Sequence, residues 1–495
     1  MSVMLPRLVG EQCRILYLPE NNNQVILGVA GSGKSVEAAY RAIWVSLGYP
    51  DDKVLVLTVN KEVNSQLQMM IDSYQHNDNI EVSTVYNYFK KLMNDYYPAD
   101  GKFRKWSHDY RAAHNYPDDG QLVAATTQQE KQVFQRLIEE SRDKYAESTL
   151  WDKDNAEEFI QDEIYWMQRN EIERKNQYLS ASRIGRGNQR LSAQQRETMF
   201  QMFKDYYALR KDMTGKAFGY YDIYRLVERY CDIPEEVKPK YIIIDEVQDI
   251  SPAMFAGLRS IIRQDGLWTV FGDTAQNIFG ERISWSTLGL DNIRKRYFLY
   301  RNYRNTKEIG QLAKSMLDTN LFEKDDGIFL EPSLSAFSGE QPILWHAKED
   351  NQSFMIDQLK KHLGDGSTAI ILMNPLKDRA IVKKLLEEND IPYVNNVKEM
   401  TADTVFLDGI NRVKGLEFDT VIVYCIDNIQ PSMSAEAMME DGTLNPNLTV
   451  ADQQIIAKTV YVAVTRARKN LILAYRTNPL PFLINNLDLV RTVGD

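Results

Sequence analysis

Residues Gly28-Val-Ala-Gly-Ser-Gly-Lys-Ser35 fit the spacing GxxxxGK[ST]. Glycines so placed let successive backbone N–H groups curl around phosphate oxygens, while a lysine neutralises the β/γ-phosphates and a hydroxyl reaches Mg²⁺. Gly28, Ala30, Gly31, Ser32, Gly33, Lys34 and Ser35 are therefore the expected phosphate-binding residues. A second run, Tyr241-Ile-Ile-Ile-Asp-Glu-Val-Gln-Asp249, leads a hydrophobic stretch directly into two carboxylates. Asp245 is expected to hold Mg²⁺ together with Ser35, and Glu246 to orient and deprotonate the attacking water. The chemistry implied is hydrolysis of ATP, with Mg²⁺ as cofactor.

Such groups need a rigid sheet edge behind them. Gln24–Gly28 reads as a short apolar strand, and 34–47 as a helix with Val36, Ala39, Ile43 and Leu47 on one face. A buried-type strand, VLVLTV, follows at 54–59; strand–helix–strand at this spacing implies a parallel sheet. Residues 85–231 are polar and tyrosine-rich, with helical runs and few strand-like ones. Strand patterns return at 241–245 and 268–271, and again at 296–300, 368–373, 404–407, 420–424 and 471–474. The fold class expected is α/β: a first domain from 1–84 and 232–284, a mainly helical insertion over 85–231, and a second α/β domain over 285–495.

DEVQD at 245–249 resembles the DExQD box of the UvrD/Rep branch of superfamily 1 helicases, and further boxes follow in family order. Phe271-Gly-Asp-Thr-Ala-Gln-Asn-Ile-Phe279 resembles GDxxQxIY, which implies that Gln276 senses the γ-phosphate. Leu299-Tyr-Arg-Asn-Tyr-Arg304 resembles LxxNYR, which implies an arginine finger at Arg304 and adenine stacking by Tyr303. Lys414-Gly-Leu-Glu-Phe418 and Val460-Tyr-Val-Ala-Val-Thr-Arg-Ala467 match KGLEF and YVAxTRA. They imply nucleotide contacts at Gly415 and Glu417 and a second finger at Arg466. Gln12 stands where the family's adenine-reading glutamine lies. The resemblance implies two RecA-like parallel-sheet P-loop NTPase domains that close on ATP, and a motor on single-stranded DNA running 3′ to 5′; RNA is left open.

The family places the strand across both α/β domains, beneath the insertion. Thr58, Asn60 and Thr84 are the implied phosphate contacts, and Phe279 an implied base contact. Between Arg169 and Arg196 seven basic residues stand against two acidic ones, inside a chain of net charge −10. Arg183, Arg186 and Arg190 are candidates for gripping DNA, with Trp166 and Tyr178 as added stacking surfaces. The chain departs from the family at Val59, Glu281 and Gly409-Ile-Asn411, and only 305–413 separates the NYR and KGLEF boxes. A second accessory insert is thus expected to be missing or vestigial, and the short tail after Ala467 leaves no room for a fused nuclease. Those features also admit a nucleic-acid-stimulated ATPase that senses DNA ends or gaps and licenses a partner nuclease, as in anti-phage defence; a non-motor ATP-switch scaffold is the alternative of another class.

The 43% hydrophobic and 26% charged content is that of a globular chain. No apolar run reaches the roughly 18 residues of a membrane helix. No signal-peptide pattern opens the chain, and three scattered cysteines suit a reducing cytoplasm.

Overall fold

The computed structural model describes residues 5–74, 78–113, 122, 125–153, 156–181, 191–214, 219–273, 296–317, 330, 332–429, 445, 448 and 450–494. Six strands form a first parallel sheet: β1 (Gln24–Gly28), β2 (Val54–Thr58), β3 (Ile80–Thr84), β4 (Tyr241–Ile244), β5 (Leu267–Gly272) and β6 (Arg296–Leu299). Their order is β3-β2-β4-β5-β1-β6. Strands β1, β2 and β4 are buried on both faces, as largely apolar runs such as VLVLT and YIII demand in a sheet covered by helices.

A second parallel sheet contains β7 (Ile343–His346), β8 (Thr368–Leu372), β9 (Tyr393–Val394), β10 (Val405–Gly409), β11 (Phe418–Tyr424), β12 (Ala467–Tyr475) and β13 (Arg491–Val493), ordered β13-β7-β12-β11-β8-β10-β9. Read from corresponding edges, β6-β1-β5-β4-β2-β3 and β13-β7-β12-β11-β8-β10 are visited by the chain in the same sequence, with β9 an added edge. The likeness extends to the exits of the equivalent strands β4 and β11. Each is followed by a left-handed residue, Glu246 (φ 58°) or Cys425 (φ 55°), and then by one 3₁₀ turn, Val247–Asp249 or Ile426–Asn428.

The boundary expected at residue 285 is corrected by β6. Val25–Gly28 of β1 pair in parallel with Arg296–Leu299, so this strand completes the first sheet. The boundary expected at 85 also divides elements that share one core. Tyr88, Phe89, Leu92 and Met93 of helix Val85–Tyr96, with Ile223 and Tyr224 of helix Ile223–Tyr230, pack against Ile244, Phe255 and Trp268 of the first domain. A separate core forms beyond them, from Val133, Phe134, Ile160, Trp166, Tyr178, Met199 and Phe203. Among the described residues between 85 and 231 there is no strand, in line with the helical pattern. On the helix Lys34–Gly48, Ala38, Ala39, Ala42 and Ile43 face the core, whereas Leu47 at the last turn is exposed.

The inner and outer parts of the insertion are joined by a buried polar knot. Arg210, 1% exposed, pairs with Asp222 and lies 3.5 Å from Glu130. The Tyr207 hydroxyl donates to Asp222 (2.7 Å), that of Tyr206 to Glu130 (2.6 Å), and the Gly219 N–H to Asp222 (2.8 Å). Burial works against the Arg210 charge, but Asp222, Tyr206, Tyr207 and Glu130 together outweigh it and hold the guanidinium protonated. Among the described residues no helix is long and apolar enough to cross a membrane.

Candidate functional site

The loop from Val29 to Gly33 joins β1 to helix Lys34–Gly48, so its N–H groups lie at a helix N-terminus. Gly31 (φ 75°) and Gly33 (φ 89°) adopt left-handed conformations. A Cβ at Gly31 would fall 2.3 Å from Asn302 Oδ1, and one at Gly33 2.1 Å from Gln12 Nε2. Glycine is required at both places because a second segment leans on each. Lys34 Nζ donates to the carbonyls of Gly28 (2.9 Å) and Val29 (3.1 Å) and sits 3.5 Å from Asp273. Ser32 Oγ is buried with no hydrogen-bond partner among the described residues, as a phosphate-facing hydroxyl would be.

Asp245, at the end of β4, is fully buried, and its Oδ2 has no hydrogen-bond partner among the described residues. Burial and then the neighbouring Glu246 raise its pKa, while Ser35 and Lys34 favour the charged form. An unpaired buried carboxylate oxygen beside a serine hydroxyl fits a hard divalent cation such as Mg²⁺. Glu246 behaves oppositely. Burial works to raise it, but Lys34, Lys414, a hydrogen bond from Gln248 and Arg466 together hold it below the usual carboxylate range. Gln248 is a residue that motif reading left without a role: its Nε2 donates to Glu246 and its Oε1 accepts from the Asp273 N–H (3.0 Å). One amide thereby fixes the expected base against Asp273, just past the end of β5.

Across from these groups, Arg304 and Arg468 both pair with the Glu417 carboxylate. Burial opposes the Glu417 charge, yet Arg304 and then Arg468 bring its pKa down to about 2. The expected nucleotide-binding carboxylate thus holds the expected arginine finger Arg304. Arg466 is 1% exposed and donates to the carbonyls of Val462 (2.9 Å) and Leu416 (3.1 Å). Burial and then the nearby Arg304 push it down to about 10. An asparagine pair suspends both expected fingers. Asn302 Oδ1 accepts from the N–H groups of Arg304 (2.9 Å) and Asn305 (3.1 Å), and Asn305 Nδ2 donates to the Thr465 carbonyl (3.2 Å) and to that of Ala467, either side of Arg466. Tyr303 N–H donates to the Gly31 carbonyl (2.9 Å), and its hydroxyl accepts from the Glu11 N–H (2.9 Å). Gln12 Nε2 donates to the Ser32 carbonyl (2.8 Å), so the expected adenine readers flank the phosphate loop. Tyr461, of the YVAxTRA box, interacts with the Ala30 backbone. Gly415 (φ 83°) abuts Val63, where a Cβ would lie 2.3 Å from a methyl, and so serves close packing between the domains. Gln276 lies outside the described residues.

The expected strand track is only partly assembled. Thr58 and Thr84 are 1% and 4% exposed. Their hydroxyls accept from the N–H groups of Asn60 (3.3 Å) and Asn87 (3.2 Å), which makes them turn and helix caps. Asn60 Nδ2 instead spans the domains, donating to the carbonyls of Arg412 (3.2 Å) and Lys414 (3.0 Å). Beside it Lys414 pairs with Asp249 at 2.6 Å, buried on both sides, and Arg412 with Glu62 at 3.3 Å. These bridges use the last Asp of DEVQD and the Lys of KGLEF; the sequence signal for them was a charged residue in each box with no assigned chemistry. The stacking expected of Trp166 and Tyr178 is corrected. Both are buried in the insertion core, where Tyr178 donates its hydroxyl to Glu163 (2.6 Å), because their spacing places them on the apolar helix faces. Arg196 caps the carbonyls of Tyr178, Leu179 and Ala181, and Lys175 pairs with Glu197 at 2.8 Å. Arg183, Arg186, Arg190 and Phe279 lie outside the described residues.

Glu37, one turn beyond Lys34, is 1% exposed, and its Oε1 has no hydrogen-bond partner among the described residues. Burial drives its pKa up to about 9, with Lys34 opposing and Glu11 adding to the rise. The folded chain then keeps a proton that the unfolded chain releases above 4.5. The corresponding stability is complete below 4.5 and is lost as pH climbs toward 9. Glu37→Gln is expected to raise the melting midpoint near pH 8 by about 3 °C and to match the parent near pH 4, as calorimetry would show. Equal midpoints at both values would contradict a neutral buried acid.

Comparison with known proteins agrees with this geometry. The UvrD/REP helicase N-terminal domain matches residues 9–290, and the UvrD-like helicase C-terminal domain matches residues 395–478. DNA helicase IV of Escherichia coli K12 is 25% identical, over 97% of this chain and 70% of that protein. The putative ATP-dependent DNA helicase YjcD of Bacillus subtilis 168 is 23% identical over 74% of this chain and 46% of its own length. ATP-dependent DNA helicase PcrA of Staphylococcus epidermidis RP62A is 26% identical over 32% of this chain and 22% of its own length. The first family domain covers the phosphate loop and β4 with its carboxylates, the second covers KGLEF and Arg466, and the chain accordingly belongs to the UvrD/REP helicase family of ATP-hydrolysing enzymes.

Proposed function

We propose that the protein hydrolyses ATP between its two sheets in order to move along single-stranded DNA, 3′ to 5′. The observation that carries this reading is convergence: the phosphate loop and Asp245-Glu246 from one sheet meet Arg304, Arg466 and Glu417 from the other chain half. Lys34 neutralises phosphate charge, and Glu246, held ionised, accepts the proton of the attacking water. Arg304 and Arg466 supply positive charge that stabilises the transition state. Ser35 and Asp245 would hold Mg²⁺, which would offset charge on the phosphates. Because the fingers stand across the cleft from Glu246, hydrolysis and relative domain movement are linked, and the bridges Asn60–Lys414, Asp249–Lys414 and Glu62–Arg412 relay that movement to the strand track. The direction of travel and the choice of DNA rest on family membership. Three free thiols accord with work in the cytoplasm.

The test is an ATPase assay with no nucleic acid, single-stranded DNA, duplex DNA and RNA. Single-stranded DNA is expected to raise kcat at least about tenfold, as closure is completed only on the strand. An unchanged rate would overturn the motor reading and favour the ATP switch. Stimulation without displacement of a block ahead of the enzyme would favour end-sensing with a partner nuclease.

A further inference from the structure

The structure assigns to Glu11 the role of a clasp through which occupation of the base-reading site positions both arginine fingers; this rests on the proposed role of Gln12 as base reader. Glu11 precedes Gln12 in the 3₁₀ helix Gly10–Tyr17, and this one residue makes three hydrogen bonds to a segment almost 300 residues later. Its Oε2 accepts from the N–H groups of Tyr300 (3.0 Å) and Arg301 (3.3 Å), and its own N–H donates to the Tyr303 hydroxyl (2.9 Å). Two consecutive N–H groups converging on one carboxylate oxygen is a charge-assisted arrangement, stronger than neutral pairs. Tyr300 and Arg301 follow β6 directly, where the strand ladder ends and backbone donors need another partner.

The connection continues to the reacting groups. Three residues after Arg301 comes Arg304, whose N–H is fixed by Asn302; Asn305 then clamps the carbonyls on both sides of Arg466. Gln12 itself lies one peptide from Glu11 and bonds to the Ser32 carbonyl and, through its Oε1, to the Val9 N–H (3.0 Å). Any displacement of Gln12 by a purine edge must therefore be carried by the peptide that also carries Glu11. Tyr303 packs on that same turn, since a Cβ at Gly10 would fall 2.3 Å from its hydroxyl. A short 3₁₀ helix held at one face by the phosphate loop and at the other by the finger segment transmits position between them. Glu11 is a positioning residue: it touches neither phosphate nor water in this scheme.

The test compares ATP with ITP, which lacks the 6-amino group, in steady-state assays of the parent, Gln12→Ala, Glu11→Ala and Glu11→Gln. The parent is expected to turn over ATP faster than ITP, and Gln12→Ala to erase that difference. Glu11→Ala is expected to lower kcat for ATP about tenfold, toward the ITP value, with KM for ATP within about twofold and the ITP rate unchanged. Glu11→Gln retains a neutral acceptor and is expected to recover most of the ATP rate. Equal loss with both nucleotides, or discrimination that survives in Glu11→Ala, would overturn the clasp while leaving the base-reading site in place. A parent that handles ATP and ITP alike, or a Gln12→Ala variant that still discriminates, would overturn the base-reading assignment and the clasp with it.

Discussion

Glu246→Gln is expected to lower kcat for ATP hydrolysis by about 10²–10⁴-fold while leaving nucleotide binding nearly unchanged. The substitution is nearly isosteric, so the 3₁₀ turn Val247–Asp249 and the hydrogen bond from Gln248 Nε2 both survive. What disappears is the acceptor for the proton of water. Lys34, Lys414 and Arg466 hold the native carboxyl ionised, below its ordinary 4.5, so the base is fully charged at neutral pH. Loss of the Glu246 charge itself should accordingly come only below pH 4.5. Single-turnover hydrolysis with equilibrium binding of a labelled nucleotide separates the two quantities. A variant that binds poorly would place Glu246 in binding, and one that hydrolyses at the parent rate would remove it from the reaction.

Asp222→Ala should destabilise the insertion by about 3–5 kcal/mol, the cost of leaving a buried charge without its partner. Arg210 is 1% exposed, and Asp222 at 3% is its main counter-ion, with Glu130 a full ångström farther away. Removing the carboxylate also takes the acceptor from the Tyr207 O–H and the Gly219 N–H, with Gln168 still donating to the Tyr207 oxygen. Hydrogen exchange should show the loss in helices Thr127–Lys144 and Ala193–Thr214, which carry Glu130 and Arg210, with the phosphate loop still protected. The double variant Arg210→Met with Asp222→Leu removes charge and partner together and should recover much of the loss, since apolar replacement of a buried pair is often neutral. Uniform loss of protection over the whole chain would show that the knot holds more than the insertion.

The candidate ATP-binding residues were legible in the sequence because the chemistry proposed for them is local. Gly28 to Ser35 and Tyr241 to Glu246 each put strand, turn and functional group within ten residues. Gln248 and Asn305 were silent, because each role depends on a second partner, 25 or 162 positions away, that no local pattern encodes. Trp166 and Tyr178 show the converse failure: rings beside arginines suggested a stacking surface, but helical periodicity turned the rings inward. The strand β6 was misplaced because RYFLY reads as a strand without saying which sheet edge receives it; only the free edge of β1 decides that. Thr58 and Thr84 illustrate a third limit, since a hydroxyl at a strand end suits a phosphate and a helix cap equally well.

The left-handed residues after β4 and β11 act as an internal control. A non-glycine residue with positive φ beside a reaction site invites the view that strain was placed there for catalysis. Here the same conformation recurs at the same exit of the matching strand, where Cys425 is fully buried and its thiol is pushed beyond the usual range by burial. The copy without a carboxylate keeps the turn, so the turn belongs to how this sheet releases its central strand. The reactivity proposed for Glu246 then rests on its carboxyl and on the cations around it, and not on backbone distortion.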